Sequence, residues 1–328
     1  MHPPAQSRLN LRKLKRLILA LSALGYALLS CAPVYAWKDF GHMAVAYLAY
    51  KQLKPEVKAR ADALIAMNPN YQAWYSRACF NHRVDLNTQI FMMASIWPDE
   101  IKDPNSGYQK DGTAGGNRPS GPGCDANIGY KDKKQHKYWH FADLPFTLDG
   151  SRLPSVPSPN AQTQIALFRK VLASKYSDEI KSYDLVWLIH LVGDVHQPLH
   201  CVTRVSKELP YGDSGGNDVR ISSANSDSPN LHDFWDSMPA QGSMKEVVDY
   251  CNALGEPDAK LASEADEKVW INESFEYSKG LVYQPPVGPE RGPYELNLAY
   301  EQNALTLARE RIALAGRRLG NLINDSLK

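Results

Sequence analysis

Apolar residues recur at the three-and-four spacing of a helix face through most of the chain. Phe40, Ala44, Tyr47, Leu48 and Leu53 trace the first stripe, which stops at Pro55 because proline cannot continue a preceding helix. Comparable patterns predict helices over 56–67, 84–97, 162–176, 183–199, 231–238, 244–254, 259–281 and 294–327. In the last of these, Leu296, Tyr300, Ala304, Leu307, Ile312, Leu319 and Ile323 supply one long buried stripe. The expected fold is therefore all-α, a single mostly helical domain with long loops. Two stretches break the pattern. Residues 103–134 are rich in Gly, Pro, Asn, Lys and Asp, and 208–229 contain Tyr211-Gly212-Asp213-Ser214-Gly215-Gly216-Asn217 followed by Asp218-Val219-Arg220-Ile221, which suggests one short β-hairpin. No composition shift or repeat divides the chain further.

The N-terminus reads as a signal peptide. Arg8, Arg12, Lys13, Lys15 and Arg16 precede an apolar run from Leu17 to Leu29, too short for a relaxed membrane span, and Val34 and Ala36 place cleavage before Trp37. Residues 1–36 are then leader and 37–328 a single working domain, exported to the periplasm or secreted. Leu28-Leu29-Ser30-Cys31 offers a competing lipoprotein site. The whole chain carries 37 Lys+Arg against 36 Asp+Glu. Losing five cations with the leader leaves 32 against 36, a net charge of −4, which argues against a broad basic face for nucleic acid. Cys79, Cys124, Cys201 and Cys251 remain, an even number in an exported chain, so two disulfides are expected with the pairing open among three possibilities. A cysteine zinc site is disfavoured because no CxxC occurs.

His190 and Asp194, and again His232 and Asp236, stand at i and i+4, roughly 40° apart on one helical face. Imidazole nitrogen and carboxylate oxygen held at fixed separation suit a divalent ion. His200 follows Pro198, which should end the helix and aim His200 at a second point. Asp99 lies just beyond Pro98, with Lys102 three residues on, and Tyr138-Trp139-His140-Phe141-Ala142-Asp143 adds an imidazole beside an aromatic ring and a carboxylate. Taken singly, each is an ordinary cap, surface pair or core residue. His82, His136 and His196 are read in that ordinary way, His196 as a support behind Asp194 and His200. The set gains meaning from the exposed α-amino group of Trp37, whose ordinary pKa near 7.7 lets it deprotonate on a metal and chelate with its own carbonyl. With His42 five residues later, there are enough N and O ligands for three zinc ions. No HExxH is present, which disfavours a metalloprotease.

These motifs, WKDFGH ending at His42, WPD ending at Asp99, WHFAD, HLVGDVHQPLH from His190 to His200, GGN at Asn217 and HDFWD from His232 to Asp236, resemble in order the trinuclear-zinc single-strand nuclease and 3′-nucleotidase family of secreted mould enzymes and plant bifunctional nucleases. The resemblance implies one zinc on Asp99, His140, His190 and Asp194. A close partner would take the Trp37 amine and carbonyl, His42 and a bridging Asp194, and a third zinc His200, His232 and Asp236. It also implies that Phe141 stacks on a nucleobase whose edge Asp143 and Asn217 contact. Asp99 would orient the attacking water or take its proton, and Lys102 would help stabilise the phosphate. Three zincs and three aspartates leave about +3, which supplies locally the positive charge that the surface lacks. The implied substrates are single-stranded DNA and RNA and 3′-mononucleotides, cut to leave 5′-phosphates, by a monomer with no stable protein partner and no membrane span after processing. A zinc phospholipase C and a non-catalytic secreted metal-binding protein are the competing readings.

Overall fold

A computed structural model describes residues 38–78, 84–112, 119 and 126–327. The helical stripes become twelve α-helices among these residues. The first, α1 (Asp39–Lys51), is buried from Phe40 to Tyr47 and packs against four others, so it has no solvent stripe. It is followed by α2 (Pro55–Ile65), with proline at its first position where no N–H is needed, then α3 (Tyr71–Ala78), α4 (Leu86–Ala94) and α5 (Trp97–Glu100). Asp85 caps α4 by accepting from Thr88 N. Downstream come α6 (Ala161–Leu172), started by an Asn160–Thr163 capping box, and α7 (Asp178–Asp194), wholly buried from Ser182 onward. The remainder is α8 (Leu231–Asp236), α9 (Met244–Ala253), α10 (Ala259–Ala262), α11 (Glu267–Tyr277) and α12 (Leu298–Ser326).

Several boundaries differ from the periodicity for local reasons. The helix expected over 183–199 stops at Asp194, and Pro198 opens a separate tight turn, Pro198–Cys201. The span 259–281 breaks at Ser263 into α10 and α11, and α11 runs on into a wider turn at Ser278–Val282. α3 has no counterpart in the periodicity, since only Trp74 and Ala78 of its eight residues are buried.

The expected β-hairpin does not form. Ile221–Ser223 (β3) pairs in parallel with the distant Tyr294–Leu296 (β4), and only isolated antiparallel bridges, Arg220 to Asn230 and Ser223 to Ser226, join the segment to itself. Residues 224–225 turn inside the inner bridge, and 227–229 lead from Ser226 to the outer one. A second parallel pair, Leu144–Thr147 (β1) with Val202–Val205 (β2), ties the segment after His140 to the one after His200.

Two apolar clusters result. The larger surrounds α1 and α7, and the smaller joins Phe146, Leu199, Val202, Leu231 and Trp235 to the start of α12. No helix among the described residues is long and apolar enough to cross a membrane. Two disulfides are also not formed: Cys201 and Cys251 carry free, buried thiols. Each is a core position whose S–H faces a backbone carbonyl, Val195 O for Cys201 and Ala44 O for Cys251. Burial pushes the Cys251 thiol up to about 12. Cys79, Cys124, His82 and the leader, Cys31 included, lie outside the described residues.

Candidate metal centre

His42 reaches the centre because α1 crosses α7 at a glycine. A Cβ on Gly193 would stand 2.8 Å from His42 Nδ1, so the bare backbone makes room for the ring, which stacks on His190 with centroids 3.8 Å apart. The start of α1 is pinned as well, by Lys38 N donating to Asp236 O at 2.9 Å. On α7, one helical turn brings His190 Nε2 to 3.1 Å from Asp194 Oδ2. His140 closes the tight turn Lys137–His140, and its Nδ1 lies 2.9 Å from both Asp194 Oδ2 and His190 Nε2. Asp99, on the short helix that carries Pro98 in its first turn, sets Oδ1 3.9 Å from His140 and 3.8 Å from His190. Asp99, His140 and His190, and separately His42, His190 and Asp194, offer ligand atoms within 4.8 Å of one another. A third such group is His200, His232 and Asp236, where Asp236 reaches His200 at 3.4 Å and His232 at 3.2 Å. Asp194 Oδ1, 3.3 Å from His200, links the groups.

Backbone carbonyls fix three of the rings. His190 Nδ1 faces Ser95 O at 2.7 Å, His200 Nδ1 faces His140 O at 2.9 Å and His232 Nδ1 faces Gly215 O at 2.7 Å. A carbonyl only accepts, so each Nδ1 carries the proton and each Nε2 lone pair points inward, as a metal ligand requires. Gly215 has φ +61 and a Cβ there would meet Leu199 O at 2.4 Å, so only glycine presents that carbonyl to His232.

The residues fit a divalent ion. His42 Nδ1 and Nε2, Asp99 Oδ2, His140 Nε2 and Asp194 Oδ1 are buried with no hydrogen-bond partner among the described residues. Buried lone pairs left so are costly unless a cation takes them. Charge is unevenly distributed among these groups. Burial opposes ionisation of Asp99, yet Lys102, whose Nζ stands 2.5 Å from Oδ1, and the rings of His190, His140 and His42 hold its carboxyl at about 2. Burial, with Lys102 nearby, lowers His140 to about 3. His42 is lowered by burial and by His190. Asp194 and Asp236 are held well below the carboxylate range, because the neighbouring imidazoles outweigh burial. Against burial, His190 and His232 are raised by Asp194 and Asp236 beside them, so a zinc ion bound there would replace a proton between imidazole and carboxylate.

Of the residues singled out in the sequence, His42, Asp99, Lys102, His140, His190, Asp194, His200, His232 and Asp236 come together. Phe141 lies against them, its ring stacked on His200 at 4.7 Å and tilted to His232 at 5.8 Å. Asp143 is buried, and Asn217 is exposed with Nδ2 donating to Ser214 O. Trp37 lies outside the described residues. His196 does not back the ligands. Its Nδ1 faces Val192 O and its Nε2 meets Arg318, in a buried network with Glu273 and Arg311. Gln197 fills the supporting place instead, donating from Nε2 to Asp236 Oδ1 at 2.6 Å while Oε1 accepts from Leu199 N.

These features define a helical protein whose buried histidine and aspartate clusters can hold several metal ions. The chain matches S1/P1 Nuclease across residues 37–328 and belongs to that family. It is also similar to Endonuclease 4 of Arabidopsis thaliana, 36% identical over 77 residues that cover 22% of this chain and 23% of the plant protein.

Proposed function

We propose that this chain is a zinc-dependent endonuclease that hydrolyses phosphodiester bonds of single-stranded DNA and RNA at P–O3′, leaving 5′-phosphates, and that it also removes phosphate from 3′-mononucleotides. The observation that carries the reading is the convergence of eight buried histidines and aspartates, several with unpartnered ligand atoms, within one family-matched chain. Asp99, His140, His190 and Asp194 would hold one zinc, Trp37 with His42 and Asp194 a second, and His200, His232 and Asp236 a third. The bond from Lys38 N to Asp236 O supports Trp37 as a ligand, since it ties the adjacent residue to the cluster. When bound, the ions would supply positive charge toward phosphate and a water of lowered pKa.

Asp99 orients the attacking water or accepts its proton; Lys102 and the neighbouring rings keep the carboxyl ionised, so it is a hydrogen-bond acceptor toward that water. Lys102 places a cation beside Asp99, where the phosphate oxygens gain charge in the transition state. Phe141 stacks on a base while Asp143 and Asn217 read its edge, which requires an unpaired base; such stacking is worth about 1–3 kcal/mol and tolerates many sequences. Residues 1–36 act as a signal peptide, and the exported monomeric domain 37–328 works in the periplasm or outside the cell. The test is incubation of the zinc-loaded exported protein with circular single-stranded DNA, RNA and duplex DNA, followed by end analysis and N-terminal mass measurement. Preferential single-strand cleavage with 5′-phosphate ends and an N-terminal Trp37 is expected. Equal cutting of duplex, or 3′-phosphate ends on the polymer products, overturns it.

A further inference from the structure

Between Lys102 and Lys137 the chain carries a charge arrangement that cleavage itself does not use. Gln109 N donates to Lys133 O at 2.7 Å and Gln135 N donates to Gln109 O at 2.9 Å, so the stretch around Lys110 lies alongside the one leading to Lys137. Gln135 Nε2 donates to Lys102 O and to Tyr108 O, which ties this pair of segments to the helix end that bears Lys102. Lys137 in turn opens the turn that ends at His140. The two ends of the strip therefore adjoin the metal centre.

Two acids of the strip, Asp111 and Asp132, turn inward. Asp111 Oδ2 lies 2.8 Å from His136 Nδ1 and Asp132 Oδ2 lies 3.0 Å from His136 Nε2, so both carboxylates are engaged by one buried imidazole. The lysines are left without them. Among the described residues, neither Lys110 nor Lys137 has a carboxylate partner, although Lys110 is exposed and Lys137 half-buried. Burial and the charges of Lys102 and Lys110 lower the pKa of Lys137, which marks the three as near neighbours in one field. Of these, Lys110 and Lys137 have no counterion among the described residues, and like charges held so favour an anion brought from outside.

We propose that Lys110 and Lys137 form a subsite for a backbone phosphate of the nucleic acid beyond the scissile bond, continuing a positive path that begins at Lys102. The proposal rests on the nuclease reading and adds to it a preference for polymers over small esters. It also accounts for how an exported chain with net charge −4 can hold a polyanion in register with its centre.

The experiment compares the zinc-loaded exported protein with the K110Q/K137Q variant on a single-stranded oligonucleotide and on bis(p-nitrophenyl) phosphate, each between 50 and 200 mM salt. For the oligonucleotide, the variant should show raised KM, unchanged kcat, and a salt slope shallower by about 0.7 for each phosphate that is no longer neutralised. With the one phosphate of the subsite freed in this way, the unmodified protein is about 2.6-fold more salt-sensitive than the variant over that range. Hydrolysis of the small ester should be equal in both, and K110R/K137R should behave as the unmodified protein. An unchanged oligonucleotide slope in the glutamine variant, or an equal fall in rate on both substrates, overturns the subsite. Failure of the unmodified protein to cleave either substrate instead overturns the nuclease reading on which it rests.

Discussion

His190 Nε2 and His140 Nδ1 face each other at 2.9 Å, with Asp194 Oδ2 at 3.1 and 2.9 Å from them. Because Ser95 O accepts a hydrogen bond from His190 Nδ1, Nε2 is the atom presented to the carboxylate, an arrangement that a cation completes. Removing metal should therefore destabilise the fold as well as stop cleavage. An ion held at a thousand times its dissociation constant contributes about 4 kcal/mol. Chelation should lower Tm on the order of 10 °C, with zinc restoring both Tm and activity. Thermal unfolding with and without chelator checks this, and an unchanged Tm would show that the clusters do not depend on metal.

Asp99 and Lys102 should separate chemistry from metal binding. Lys102→Gln removes a cation that contacts Asp99 but belongs to none of the three ligand groups. The expected result is a fall in kcat of about 100-fold or more with zinc content preserved. Asp99→Asn should abolish turnover while much of the zinc stays, because the His42, His190, Asp194 and His200, His232, Asp236 groups are intact. Elemental analysis beside single-turnover kinetics decides it; full activity in the asparagine variant would remove Asp99 from the reaction.

Gln197→Leu keeps side-chain volume but withdraws the amide that donates to Asp236 Oδ1 at 2.6 Å. Partners of this kind hold ligand carboxylates in place, and removing one costs about 10–100-fold in metal affinity. Competition with a zinc-sensitive chelator should show one ion per chain released more readily, with the other sites little changed. Uniform affinity across all sites would mean that Gln197 serves only the turn at Pro198.

Most of the buried histidine and aspartate cluster is legible in the sequence because helices convert spacing into geometry. His190 with Asp194 and His232 with Asp236 need only one turn each, and Pro198 announces the break before His200. What orients those ligands is not legible. The groups facing His190, His200 and His232 are backbone carbonyls of Ser95, His140 and Gly215, which no side-chain letter encodes. Gln197 lies inside the run from His190 to His200, yet nothing about a glutamine before a proline marks it as the partner of a residue thirty-nine positions away. His196 departs from its expected place because the helix end rotates it toward Arg318 rather than toward its neighbours in sequence. For Cys201 and Cys251 an even cysteine number suggests bridges, whereas the fold uses them as small buried side chains. The hairpin fails for a related reason: β3 is three residues long and finds its partner at Tyr294–Leu296, beyond the reach of any local pattern.

His136 should make stability depend on pH in one direction. It sits in the left-handed region at φ 45, buried, with its ring stacked on Trp139 at 3.6 Å. Burial, the largest influence, disfavours its charged form. Hydrogen bonds and charge from Asp111 and Asp132 on opposite edges outweigh that, and the pKa is raised. Tyr138 hydroxyl adds a neutral contact to Nδ1 and Trp187 packs edge-on at 6.1 Å. With the folded pKa above the unfolded value of about 6.5, the native state binds the proton more tightly. The stabilisation is therefore complete below the unfolded value and disappears as pH rises through the folded one. His136→Gln can donate to only one of the two aspartates. Its deficit should be about 1.5–3 kcal/mol at pH 5.5, the range for hydrogen bonds to charged groups, and should shrink at alkaline pH. Urea unfolding of both proteins at equal zinc, from pH 5.5 to 9, measures the difference. A deficit that stayed constant or grew with pH would mean that His136 acts through the shape of its ring and not through its charge.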